Sequence, residues 1–215
     1  MTPTSSTLVA AMLAAILALA TGASTASAQD EVKDNPKGAG SDEFVTRLFA
    51  GTIRQKNSYA CFSREYDAAH LASHRLQKVA TMRLLVTAER VPEDEALNYS
   101  FRLGVRFRHR SGNFDSSGDC GHAAVTQETS DRAVLKCSVD CDGGGLEIGI
   151  TSDNKSTMIR LERVRIWRRN NPDEEAADAL VAGADDRVFR LHRVSLKDCT
   201  SLVTDRKELA ALRHK

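Results

Sequence analysis

Aromatic residues make up only 5% of the 215-residue chain, with a single Trp, and no cluster of them offers the stacking platform that single-stranded nucleic acid needs. Charge of one sign is equally scarce. Thirty Lys and Arg stand against 29 Asp and Glu, so net charge favours neither nucleic acid nor an acidic partner. No apolar run reaches the roughly 20 residues of a membrane-crossing helix. The chain has no G-x-S-x-G elbow, Walker loop, dinucleotide fingerprint, HExxH, EF-hand spacing or C-x-x-C pair. Those absences leave no catalytic residue to assign and no cofactor to expect.

The longest apolar stretch, "LVAAMLAAILALA" from Leu8 to Ala20, precedes Ala26-Ser27-Ala28, the A-x-A pattern of a signal-peptidase site. No Lys or Arg comes before Lys33, which departs from the usual cationic start of such signals. Residues 1–28 are expected to be a cleaved signal, leaving a periplasmic or secreted chain with no transmembrane segment. Residues 29–41, "QDEVKDNPKGAGS", are polar and aperiodic and read as a flexible leader.

Residues 42–215 read as one domain, mainly β, with an N-terminal helical segment over 42–78. Phe44, Val45, Leu48, Phe49 and Ile53 fall at helical spacing over 42–55, with Ser41 as the expected N-cap. A second helix is predicted over Tyr66 to His74, starting near Asp67, and a short C-terminal one after Thr204. Between them, about seven segments alternate apolar and polar residues: 81–89, 99–110, 121–127, 133–140, 146–151, 157–167 and 187–196. Short links favour an antiparallel meander, barrel-like or a sandwich. The long link 168–186 is read as holding a short helix. "IRLERVRIWR" from Ile159 and "FRLHRVSLKD" from Phe189 match each other, and both change apolar phase midway. A bulge near Glu162/Arg163 and another near His192/Arg193 would restore the core face.

Five cysteines in an exported chain point to disulfides. In "LKCSVDCDGGG", Cys137 and Cys141 would stand about 13 Å apart on a strand, beyond disulfide reach. Pairing around a Thr129/Ser130 turn places Cys120 nearly opposite Val139, within reach of Cys137 or Cys141. Cys61 and Cys199 are the expected second bridge, and one cysteine is left over. The glycines at 143–145 read as a tight turn with positive φ. The rival is zinc held by Cys120, His122, Cys137 and Cys141.

Other clusters are weaker. His70 and His74 lie one helical turn apart and could chelate a metal, giving a metal-dependent enzyme as the alternative function. Asn113, Asp115, Asp119, Asp140, Asp142 and Asp178, with Asp173, Glu174 and Glu175, would gather at one end of the sheet as a structural calcium set. Arginine dominates the outward positions of three strands: Arg102, Arg106 and Arg108; Arg160, Arg163 and Arg165; Arg190 and Arg193. Their planar donor forks suit phosphate and carboxylate groups. The leading expectation is a non-catalytic binding or accessory protein. Its arginine face would meet an anionic polymer, a lipid headgroup or an acidic protein.

Overall fold

The residues with alternating hydrophobicity do form one antiparallel sheet, with nine strands among the described residues. The computed structural model describes residues 39–53, 56–91, 96–123, 134–169 and 178–214, so the expected signal, residues 29–38 of the leader and the Thr129/Ser130 turn lie outside. In chain order come α1 (Ala39–Leu48), β1 (Asn57–Glu65), α2 (Ala68–Ser73), β2 (Val79–Arg90), β3 (Leu97–Phe107) and β4 (Phe114–Ala123). There follow β5 (Val134–Ser138), β6 (Gly144–Ile150), β7 (Ser156–Arg168), β8 (Asp178–Val181), β9 (Val188–Arg193), a 3-10 segment (Leu196–Leu202) and α3 (Arg206–His214).

Neighbouring strands follow the order β6-β5-β4-β3-β2-β1-β9-β7-β8, with further pairings of β6 and β4 to β7. The sheet is therefore ring-like without being a barrel. Its inner side is filled rather than hollow: Phe62, Phe101, Phe114 and Phe189 are fully buried there with Leu84, Leu103 and Ile148. Phe44, Val45 and Leu48 of α1 join the same cluster, each burial contributing about 1.5–3 kcal/mol. A second cluster forms on the opposite face of β1 and β2. There Tyr59, Cys61 and Leu85 meet Cys199, Leu202, Val203 and Leu212 of the C-terminal segments.

Several expectations need correcting. The segment 42–78 is not helical throughout, because β1 runs through its middle and pairs with all but the ends of β2. α1 begins at Ala39, two residues before the expected cap Ser41, so residues 39–41 are helix rather than leader. It ends at Leu48 instead of continuing to 55, and Ala50 follows at φ 54°. α2 starts as expected after Asp67, whose Oδ1 accepts from the His70 amide at 2.7 Å. For α3 the cap is Asp205, not Thr204, with Oδ1 accepting from the Glu208 amide at 2.8 Å. β4 begins at Phe114, so most of the expected loop 111–119 is strand. In the long link, 178–181 form β8 rather than helix, while 170–177 lie outside the described residues.

Of the two expected bulges, one is present. Gly144 pairs with Val164 and Leu146 with Leu161, so β7 carries one more residue than β6 between those rungs. Glu162 and Arg163 are consecutively exposed there, after which Val164 and Ile166 return to the core. At His192/Arg193 there is none. Phe189, Leu191 and Arg193 all face inward, and Val194 and Leu196 continue the alternation onto the second cluster. The C-terminal segments give those two residues an apolar partner outside the ring, so no phase change is required.

Candidate functional site

The pairing of the cysteines removes one candidate site. Cys61 bonds to Cys199, and Cys120 to Cys137, leaving Cys141 free and exposed. Cys120 stands directly opposite Cys137, not Val139, so the real register differs by two residues from the expected one. The zinc set is not assembled. Two of its sulfurs are bonded to each other, and His122 lies edge-on to Phe44 and Tyr99, at 6.1 and 4.8 Å between ring centroids. Cys141 sits at the tip of a turn with Asp142, both at φ 57°. Positive φ thus falls on Cys141, Asp142 and Gly144, while Gly143 and Gly145 serve close packing. A Cβ on Gly145 would lie 2.1 Å from the Cys137 carbonyl oxygen.

His70 and His74 do share a face and stack at 4.1 Å. Their ring nitrogens already have local partners: His70 Nε2 meets Gln77 Oε1 at 2.9 Å, and His74 Nδ1 meets the His70 carbonyl at 2.9 Å. The acidic residues do not converge either. Asp115 takes two hydrogen bonds from Arg169, at 2.8 and 2.6 Å, and Asp178 pairs with Arg110. Asp173, Glu174 and Glu175 lie outside the described residues. Among the described residues no group of three or more His, Cys, Asp or Glu is placed to hold a metal ion.

The arginines divide by what they touch. Arg193 is not on the outer face. It points inward over the Phe62 ring at 4.7 Å and donates to the carbonyls of Leu48 and Arg47 at 2.9 Å each, closing the end of α1. Burial pulls its guanidinium below the usual value. Arg102 is held by Glu208 of α3 at 2.7 Å, and Arg108 reaches the carbonyls of Leu71, His74 and Gln77. These three are structural.

Those remaining are presented outward. Arg160, Arg163 and Arg190 are exposed, Arg163 also donating to the Asp142 carbonyl at 2.9 Å, and Arg165 is half-buried, on adjacent strands β7 and β9. Met158 stands opposite Arg190, and Arg160 opposite Val188, giving a checkerboard of cations and apolar side chains. Met158 is 37% and Val188 42% exposed, so both are available to a partner. Glu147, opposite Arg160 on β6, is paired with Lys136 at 3.6 Å.

Two arginines missed in the sequence join Arg106 around a second concavity. On β2, Arg83 has outward parity and stands opposite Gly104 of β3. Arg169 lies just beyond β7, and its amide donates to the Asn113 carbonyl at 3.0 Å. The outward parity of residue 83 was legible; its neighbour Gly104 became meaningful only with the register. Hydrogen bonding to Asp115 raises the Arg169 guanidinium above its usual value.

The two disulfides fit an extracellular or otherwise oxidising compartment. Among the described residues no helix is long and apolar enough to cross a membrane. No protein-family model, no curated protein and no solved structure matches the chain, so its own geometry is what any functional reading must stand on.

Proposed function

We propose that this is an exported, non-catalytic binding or accessory protein that contacts anionic material of the cell envelope through the outer face of β7 and β9. The periplasm or the cell exterior is the proposed address, reached by cleavage of residues 1–28. One observation carries the reading of the face: Arg160 and Arg190 alternate with the exposed Met158 and Val188 on adjacent strands. Guanidinium forks take phosphate or carboxylate oxygens, and the apolar side chains between them cover the non-polar part of a polymer or headgroup. A single ion pair between fully exposed groups contributes little, so attraction here depends on several cations acting together.

The test is binding of the mature protein to dextran sulfate and to vesicles of phosphatidylglycerol or phosphatidylcholine across a salt series. Affinity for the anionic surfaces should fall as salt rises. Arg160→Ala with Arg163→Ala should weaken it by roughly 30-fold, from about 1 kcal/mol per cation. Affinity that ignores salt, or that the double substitution leaves unchanged, rejects this face.

A further inference from the structure

Gly104 lines a small cavity on the outer face of the sheet. Ser63, Arg83, Gly104 and Asp115 form one rung across β1 to β4, and Glu65, Thr81 and Arg106 the next across β1 to β3. The cavity has a volume of about 60 Å³. That is several times what one ordered water requires. A Cβ on Gly104 would lie 2.6 Å from Leu202 Cδ2 and 3.2 Å from an Arg169 nitrogen, so those two side chains already take the space that any larger residue at 104 would need.

The groups around this cavity are unequally engaged. Arg169 is fixed by its two hydrogen bonds to Asp115. Arg106 meets Glu65 and the Thr81 hydroxyl at 3.1 Å each, but its ion pair is solvent-exposed on both sides and easily displaced. The Arg83 side chain is half-buried and makes no hydrogen bond or ion pair with any described residue. Among the described residues, three guanidiniums around one cavity face two carboxylates, which leaves one positive charge unmatched.

We propose that the cleft over Gly104 binds a single carboxylate group, received by Arg83 with Arg106 and Asn113 beside it. A monoanion balances the unmatched charge, whereas a phosphate dianion would overfill it. The planar fork of Arg83 matches a carboxylate with two parallel N–H bonds, as Arg169 already does with Asp115. The site does not depend on the arginine face of β7 and β9, which lies on other strands.

The carboxylate could belong to a small free acid or to the end of a peptide chain. The experiment follows the arginine Nε–Hε resonances of the full mature protein at constant ionic strength. Acetate, inorganic phosphate, and one short peptide with either a free or an amidated C-terminus are the probes. Saturable shifts at Arg83 and Arg106 with acetate support a free-acid ligand; saturation by the free-acid peptide alone supports a chain terminus. Arg83→Gln should weaken binding at least about tenfold without altering the melting temperature, since the Arg83 side chain is held by no described residue. Arg190→Gln should leave it unchanged. Saturation by phosphate alone, the same response in Arg83→Gln, or no saturable shift with any probe overturns the assignment.

Discussion

Arg193 sets a positive charge against the inner cluster, and three features make that tolerable. Its guanidinium lies over Phe62, and the carbonyls of Arg47 and Leu48 accept its hydrogens at the end of α1, where the helix dipole is negative. Arg193→Ala leaves those carbonyls without their donor and should cost about 2–4 kcal/mol in urea unfolding; Arg193→Lys should recover only part. A loss no larger than that of Arg190→Ala would reject this role. His122 supplies the pH dependence at this scale. Burial lowers its pKa below 6.5, while Asp42 opposes that shift. The unfolded chain therefore binds a proton there more readily than the folded one. The contribution is complete above about pH 6.5, is lost as pH falls towards the folded value, and levels off below it. His122→Leu should flatten that part of the stability profile; an unchanged acid slope would refute the assignment. Tyr99 acts at the other extreme, pushed up to about 12 by burial. Stability should decline as pH climbs from 10 towards that value, because only the unfolded chain ionises readily. Among the residues, the cysteines were legible: separation along a strand ruled out 137 with 141. Arg193 was not, because a charged residue reads as outward until a helix end is seen waiting for it.

At the scale of elements, alternation revealed most of the strands and missed β1 and the first part of β4. β1 packs one side on the inner cluster and the other on Cys199 and Leu212, so its consecutive residues Tyr59 to Phe62 are all buried. A two-faced strand has no polar beat to detect. β4 was hidden for the opposite reason. "FDSSGDCGHA" places Ser116 and Gly118 inward, and a Cβ on Gly118 would sit 1.9 Å from the Ser138 carbonyl oxygen. Close backbone approach removes the apolar residues on which the pattern relies. The β7 bulge was legible because its phase change stands in the sequence itself. Opposite it, Gly144 has φ 74°, and a Cβ there would lie 2.0 Å from the Arg163 carbonyl oxygen. Gly144→Ala should therefore cost about 2 kcal/mol or more in chemical denaturation, through strain and a forced shift of the bulge. Gly121→Ala, with open space around its Cβ, is the control and should fall well below that. Equal costs would show that the bulge yields freely. The arginine face was legible only in part: parity identified Arg160 and Arg190, but not that α3 covers Arg102.

For the molecule as a whole, the two disulfides constrain very different lengths of chain. Cys61 and Cys199 are 138 residues apart, Cys120 and Cys137 only 17. Loop-closure entropy assigns roughly 5 kcal/mol to the long link and about 3 to the short one. Replacing the first pair with alanine should therefore destabilise more than replacing the second, measured as the free energy of unfolding; the reverse order would reject the entropic account. The mainly antiparallel class and the count of bridges could be read from the sequence. The ring could not, since the β1–β9 and β4–β7 pairings join segments far apart in the chain through only two rungs each.

That seam also dictates a timetable for the nascent polypeptide. β1 pairs with β2 through local sequence, yet its other edge waits for β9, more than a hundred residues later. Until those residues emerge, a half-made sheet offers an open backbone edge and a reduced Cys61 to anything nearby. The seam closes with the last strand, when Phe62 meets Arg193 and the long sulfur link can form.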